Sequence, residues 1–401
     1  MRQRTKRCRR ALPGAPHRAF ERANEGWIHR DRSLIEARAK AEEASKAERR
    51  EVVARALGGW LALAEAAGPA FMECGGQILH GKAKRWRGEP ELFARLAAQP
   101  ATWFESERVN LLAGIGQASR AGPAELAWDL AVSSAWFFQM VAYQDWREAH
   151  ELADAAARAA GDTRGRAALL VALAWVVFDR TPPAELAKLF AQARELFERI
   201  GDDPGTVEAL LGEGEAWRLT SRLEQALACL ERAQAVAVRT GAAAQEAAAV
   251  FGVAMLDREQ GRADRALERL EGILPVWRDL GRRRWEALTV RVMALALVDQ
   301  GELSAAEARL EQALALAREL RDRQVRLMLL VDLGELRYQQ GQLGAARTVL
   351  DQALRSAREL GLTYERARIL QTVAELHAAE GELGEALRSL TEAVRLFRLV
   401  G

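Results

Sequence analysis

The sequence predicts an all-α fold, a solenoid of helical hairpins stacked with a period near 40 residues. Three observations carry this. Gly261, Gly301, Gly341 and Gly381 recur at a spacing of forty, opening the similar segments "GRADRALERL", "GELSAAEARL", "GQLGAARTVL" and "GELGEALRSL". Self-similarity at that period marks an architecture in which each unit packs only on its neighbours. Alanine, leucine, arginine and glutamate dominate and aromatics are only 6%, a helix-forming composition. The ten prolines end at Pro275, so the last 126 residues contain no proline to interrupt a helix.

The chain opens on "MRQRTKRCRRALPGAPHR", with six basic residues in the first ten and then Pro13, Gly14 and Pro16. With no apolar stretch behind it, this is not a secretory signal. Residues 1–24 are expected to form a basic disordered arm. Residues 25–122 are expected to form a helical junction, and 123–401 an array of about seven hairpins. The first pairs "ELAWDLAVSSAWFFQM" with "DWREAHELADAAARAAGD", and the second "RAALLVALAWVVF" with "PAELAKLFAQARELFERIG", turning at Pro182-Pro183. Regular repeats follow from residue 205. Each runs about twenty residues from its opening glycine to a second break, at Gly281, Arg321, Gly361 and Gly401. One repeat, "LEGILPVWRDLG", places Gly272 and Pro275 inside its second helix, where a kink is expected because proline lacks a donor and crowds the preceding turn.

Within the regular repeats small residues recur where two helices must approach closely. They are Gly214, Ala254, Ala294, Gly334 and Ala374 in the first helix, and Ala226, Ala266, Ala306, Ala346 and Ala386 in the second. Four residues after each of these alanines comes Leu230, Leu270, Leu310, Leu350 or Leu390, and three later Ala233, Ile273, Ala313, Ala353 or Ala393. That i, i+4, i+7 stripe is the buried face of an amphipathic helix. The order resembles the tetratricopeptide (TPR) signature over residues 205 to 401, with a period of forty in place of the usual 34. The resemblance implies a right-handed superhelical solenoid of TPR-like hairpins with slightly longer helices.

Charge narrows the function. The net charge of +2 is uneven: residues 1–50 hold 15 Lys or Arg against 7 Asp or Glu, and the remainder 43 against 49. Binding phosphates needs a basic surplus, so direct nucleic-acid binding is expected only through the arm, residues 1–10. Cys8, Cys74 and Cys229 are odd in number and far apart, which points to a reducing cytoplasm. "AALLVALAWVVF" at 167–178 is too short to cross a bilayer, which takes roughly 20 residues. No G-x-x-x-x-G-K-[ST], H-E-x-x-H or G-x-S-x-G motif occurs, and no catalytic, cofactor or metal residue is expected. His17, His29, His80, His150 and His377 are scattered without ligand spacing and read as surface or packing residues.

One stretch, "ATWFESERVNLLAGIGQASRAG" at 101–122, invites a catalytic reading, with Glu105, Glu107 and Arg108 followed by Gly114 and Gly116. Residues two apart on a helix do not share a face, so the acids are not a pair. A dinucleotide loop would need a third glycine where Ser119 stands, and a preceding strand. Instead, "WFESERVNLLAGIGQASRAGPAELAWDLAVSSAWFF" resembles the junction that introduces the repeats in NB-ARC–TPR regulators. These include the SARP-type regulators and other signal-transduction ATPases with numerous domains (STAND). Trp103, Phe104, Glu107, Arg108, Asn110, Leu111, Leu112, Leu126, Ala127, Leu130 and Trp136 carry the likeness. The stretch "HRDRSLIEARAKAEEASKAERREVVARALGGWLALAEAA" is similar to the end of the winged-helix segment in the same family. The resemblance implies the sensor and partner-binding half of such a regulator, without its ATPase or DNA-binding domains, which a separately encoded partner would supply.

The facing of TPR helices implies a concave groove formed by Leu211, Glu215, Arg218, Phe251, Met255, Arg258, Arg291, Leu295, Met328, Val331, Glu335 and Tyr338, suited to a protein, peptide or small effector. Residues 111–401 hold no asparagine and one lysine, Lys188, so the lysine and asparagine clamp of chaperone-tail TPR domains is absent. The final helix, "LRSLTEAVRLFRLVG", leaves Leu390, Ala393, Val394, Phe397 and Leu399 to cover, and self-association as a homodimer through Leu390, Val394 and Phe397 is expected.

Overall fold

A computed structural model describes residues 45–68, 79–86, 90–98, 100–141, 143–178 and 181–400. The basic arm with Cys8 and His17, the start of the junction with His29, and Cys74 lie outside the described residues. Among the described residues three helices precede the array: α1 Lys46–Ala67, α2 Pro90–Ala97 and α3 Pro100–Ala121. Seven helix pairs follow. They are α4 Ala124–Val141 with α5 Tyr143–Ala159, α6 Thr163–Val176 with α7 Pro183–Ile200, α8 Asp203–Leu219 with α9 Leu223–Thr240, and α10 Ala243–Glu259 with α11 Ala263–Asp279. Then come α12 Arg283–Asp299 with α13 Leu303–Glu319, α14 Arg323–Gln339 with α15 Leu343–Glu359, and α16 Thr363–Ala379 with α17 Leu383–Val400. Every described element is helical, and no described helix is long and apolar enough to cross a membrane.

Close approach at the small positions sets each hairpin. A Cβ added to Gly334 would lie 2.6 Å from Leu350 Cδ2, far inside van der Waals contact, so the first helix sits directly on the leucine of the second. Ala254, Ala294 and Ala374 are equally buried, as are the paired alanines of the second helices and Leu230, Leu270, Leu310 and Leu350. Leu390 departs from this pattern. It is 43% exposed, because the helix that would cover it belongs to a further hairpin, which does not follow among the described residues. Pro275 stays within the continuous helix α11 on its exposed side, while Ile273, Leu274 and Trp277 are buried. There the missing donor faces water and strands no buried acceptor.

Successive first helices touch one another along the stack (α4 with α6, α6 with α8, and on to α14 with α16), whereas successive second helices make no comparable contact among the described residues. The first helices therefore form the inner, concave wall. Ion pairs bridge the hairpins at intervals near the repeat length. Arg164 Nε donates to Asp202 Oδ2 at 2.6 Å while Asp202 Oδ1 accepts the Gly205 amide at 3.1 Å and caps α8. Arg284 Nη1 bonds Asp322 Oδ2 at 2.5 Å, and the other oxygen of Asp322 caps α14. Each carboxylate thus terminates its own helix and holds the preceding repeat.

The tight turns between hairpins need a left-handed residue. Glycine supplies it at 201, 241, 281 and 361, but Arg321 occupies the same place at φ 54°, a conformation costly for a residue with a Cβ. Arg321→Gly is expected to stabilise the protein by about 1 kcal/mol, and Ala315→Gly, at an exposed position within α13, to destabilise it by about as much. Urea midpoints of the two variants, read by circular dichroism, check both signs.

Candidate functional site

Along the concave wall the first helices enclose a channel of about 380 Å³. Helix α8 contributes Leu211, Glu215 and Arg218; α10 Phe251 and Met255; α12 Trp285, Leu288 and Arg291; α14 Gln324, Leu327, Met328, Val331 and Asp332; and α16 Glu365, Arg368 and Ile369. At the other end Trp136 on α4, and Trp175 and Phe178 at the end of α6, complete the lining. The channel crosses the stack obliquely. It meets α8 in its C-terminal half and α16 in its N-terminal half, since each hairpin is rotated on the one before it.

That drift decides which groove residues expected from the sequence reach the channel. Leu211, Glu215, Arg218, Phe251, Met255, Arg291, Met328 and Val331 line it. Arg258, Leu295, Glu335 and Tyr338 lie further toward the C-terminal ends of later helices and are not part of the lining. Arg258 bonds Asp299 instead, Nε to Oδ2 at 2.7 Å. A list drawn at constant register misses Trp285, Gln324, Leu327, Glu365, Arg368 and Ile369. It also misses the aromatic end, since Trp136, Trp175 and Phe178 belong to the less regular hairpins. Their signal in the sequence is the clustering of large aromatics on first helices.

Aromatic contacts make the wall rigid. Trp175 stacks on Phe178 with ring centroids 5.2 Å apart, and Trp285 is held between Trp277, stacked at 5.0 Å, and Phe251, edge-on at 5.4 Å. The charged lining pairs with itself. Arg218 donates to both oxygens of Glu215, at 2.7 and 2.6 Å, and also to Glu259. Burial opposes the charge on Arg218, but the bonds and charges of Glu215 and Glu259 outweigh it and hold the guanidinium above its ordinary range. Arg291 grips Asp332 through two bonds, at 2.5 and 3.0 Å. Just outside the lining, burial and the neighbouring Asp332 push the Glu335 carboxyl above the usual range, while Arg368 and Arg291 counter them in part.

Elsewhere the histidines meet different surroundings. His80 Nδ1 lies 3.2 Å from both Glu65 and Asp129, and with them forms a set of atoms close enough to surround a cation. Arg85 already occupies the two carboxylates, however, donating to Asp129 Oδ2 at 2.6 Å and to Glu65. The Gly81 amide bonds Asp129 at 2.7 Å, so the cluster clasps the 79–86 segment onto α1 and α4. His377, with Glu380 and Glu382, is a similar group around Arg347. In the junction, Glu105 is exposed and Glu107 accepts from Asn110 at 2.9 Å. A Cβ on Gly114 would meet Leu57 at 2.8 Å, so this glycine lets α3 cross α1. Trp103 and Phe104 are buried, and Phe104 stacks on Phe137 at 4.9 Å, docking the junction on the first hairpin. On α17, Leu383, Leu387, Leu390 and Val394 form an exposed stripe. Phe397 instead packs half-buried, edge-on to Tyr364.

Comparison with known proteins bears on the repeats. Residues 245–319 and 325–398 match the tetratricopeptide repeat family model. Over those residues the chain carries tetratricopeptide repeats. No curated protein matches the sequence. Among solved structures, the Rap conjugation gene regulator of plasmid pLS20, in complex with the Phr* peptide, aligns with a TM-score of 0.56 at 15% identity, covering 79% of this chain and 86% of that one. The apo quorum sensor NprR of Bacillus thuringiensis aligns at 0.54 and 13%, covering 76% and 87%. A STAND protein with a tetratricopeptide repeat sensor from Pyrococcus horikoshii aligns at 0.51 and 14%, covering 78% of this chain and 47% of that one. These likenesses are of fold.

Buried His150 carries a pH consequence. Burial lowers its pKa, against the opposing influence of its bond to the Leu169 carbonyl at 3.0 Å and of Asp154 and Glu151. The folded imidazole therefore resists a proton that the unfolded chain accepts below about pH 6.5. Stability is expected to fall as pH drops through that value toward the depressed folded pKa, and the fall to be smaller in His150→Gln. Thermal midpoints measured between pH 7 and pH 5 check the sign.

Proposed function

We propose that this chain is a non-catalytic interaction or sensor module of a bacterial signalling or transcriptional regulator, taking a protein, peptide or effector into the concave channel. The observation that carries the reading is the channel itself, to which all seven first helices contribute and whose wall is largely apolar and aromatic. A mainly apolar concavity with a few placed polar groups is the common form of a binding site. The resemblance of the junction adds the context of a STAND-type regulator, with a separately encoded ATPase or DNA-binding protein as partner. The second reading is an autonomous peptide-responsive adaptor in the cytoplasm. It is favoured by the likeness to the Rap regulator solved with its Phr* peptide, which extends over most of both chains.

The exposed stripe on α17 supports self-association in the same reading. In α13 and α15 the equivalents of Leu390 and Val394 (Leu310 and Leu314, Leu350 and Leu354) are buried by the following hairpin, whereas Leu390 and Val394 are 43% and 47% exposed. Burial of such leucines contributes roughly 1.5–3 kcal/mol each, which a second copy would recover.

Two measurements test these readings. Affinity capture from the native cell is expected to retrieve a partner with the wild-type chain and to lose it with Phe251→Glu/Met255→Glu; retention by that variant would separate partner binding from the channel. Sedimentation velocity across a dilution series is expected to show association that Leu387→Glu/Leu390→Glu abolishes without loss of helix. A wild-type monomer at every concentration counts against the dimer.

A further inference from the structure

We infer that the occupant of the channel is a compact, uncharged, mainly apolar molecule, and not an extended or strongly charged peptide. The inference rests on the reading of the channel as a binding site and names the chemistry of what enters it.

Size is the first argument. About 380 Å³ lies within the range of about 300–1,000 Å³ that small-molecule sites occupy. Charge is the second. The ionisable lining comprises Glu215, Asp332 and Glu365 against Arg218, Arg291 and Arg368, which sums to zero. The two better-buried cations are already committed, Arg218 to Glu215 and Glu259, and Arg291 to both oxygens of Asp332. Arg368, the third, is exposed to solvent, where an ion pair gains little, so a charged ligand would have to break one of the partly buried pairs to gain a strong partner, whereas an uncharged one leaves them intact.

Hydrogen-bonding capacity is the third. A peptide bound as a strand presents an amide and a carbonyl at every residue, and each left unpaired in an apolar channel costs about 1–3 kcal/mol. Gln324 is the one carboxamide of the lining, and it is engaged with Arg284. A compact molecule brings few such groups.

The test uses the full chain and two uncharged naphthalene probes: Prodan, which carries a ketone, and N-phenyl-1-naphthylamine, which lacks a carbonyl. Both are expected to bind saturably at a single site, with energy transfer from tryptophan. Met255→Glu, and Met255→Trp, which fills the space yet keeps it apolar, are expected to weaken both by about tenfold or more. Leu387→Glu, on the exposed α17 stripe, is expected to leave them unchanged. The inference is overturned if neither probe saturates, if Leu387→Glu and not the Met255 variants reduces binding, or if a neutral extended peptide displaces both at lower concentration. Partner capture that depends on Phe251 and Met255, combined with failure of the probes, leaves the site in place and rejects this ligand chemistry. Probe binding without such capture does the reverse.

Discussion

The contact between a small residue on the first helix and a leucine on the second governs everything else in this molecule. At Gly334 the approach is close enough that a Cβ would force the Leu350 side chain to shift, and alanine serves the same role at Ala254, Ala294 and Ala374. Close packing of that kind is intolerant of added volume, so it fixes the angle of each hairpin. Because the same contact recurs every forty residues, the same step is applied hairpin after hairpin. The inner helices then touch, the outer ones separate, and a concave wall results with no single residue having specified it.

The channel inherits its properties from that wall. Each hairpin contributes a different level of its first helix, from Arg218 near the end of α8 to Glu365 near the start of α16. Charges that face the interior are neutralised across hairpins. Arg218 reaches Glu259, Arg258 reaches Asp299, and Arg291 reaches Asp332, each pair 41 residues apart. These bonds hold neighbouring repeats in register and at the same time remove charge from the lining. The aromatic groups at Trp175 and Trp285 stiffen it, since stacked and edge-on rings resist rotation when packed on several sides.

Much of this was legible in the sequence. The forty-residue spacing, the buried alanines at 226, 266, 306, 346 and 386, and the breaks at 281, 321 and 361 are local properties, written into one helix or one turn at a time. Arg321 shows how far such reasoning reaches: the repeat required a left-handed residue there, and the chain adopts that conformation in spite of its side chain. Gly114 shows a limit, since its role depends on Leu57 and Trp60 across a helix crossing.

What the sequence determined by itself, then, is the repeating unit: helical periodicity, small-residue contacts and turn residues act over short separations and survive any arrangement of the units. Only the tertiary structure decided what faces what. The rotation between hairpins placed Trp285 and Ile369 in the channel and left Leu295 and Tyr338 outside it. In the last described hairpin Leu390 is exposed where Leu350 is buried, and the junction gathered Glu65, Arg85, His80 and Asp129 from segments far apart in the chain. The physical reason is common to all of these. A side chain's neighbours in the next hairpin are set by a small rotation that accumulates along the stack, and no residue encodes that sum on its own.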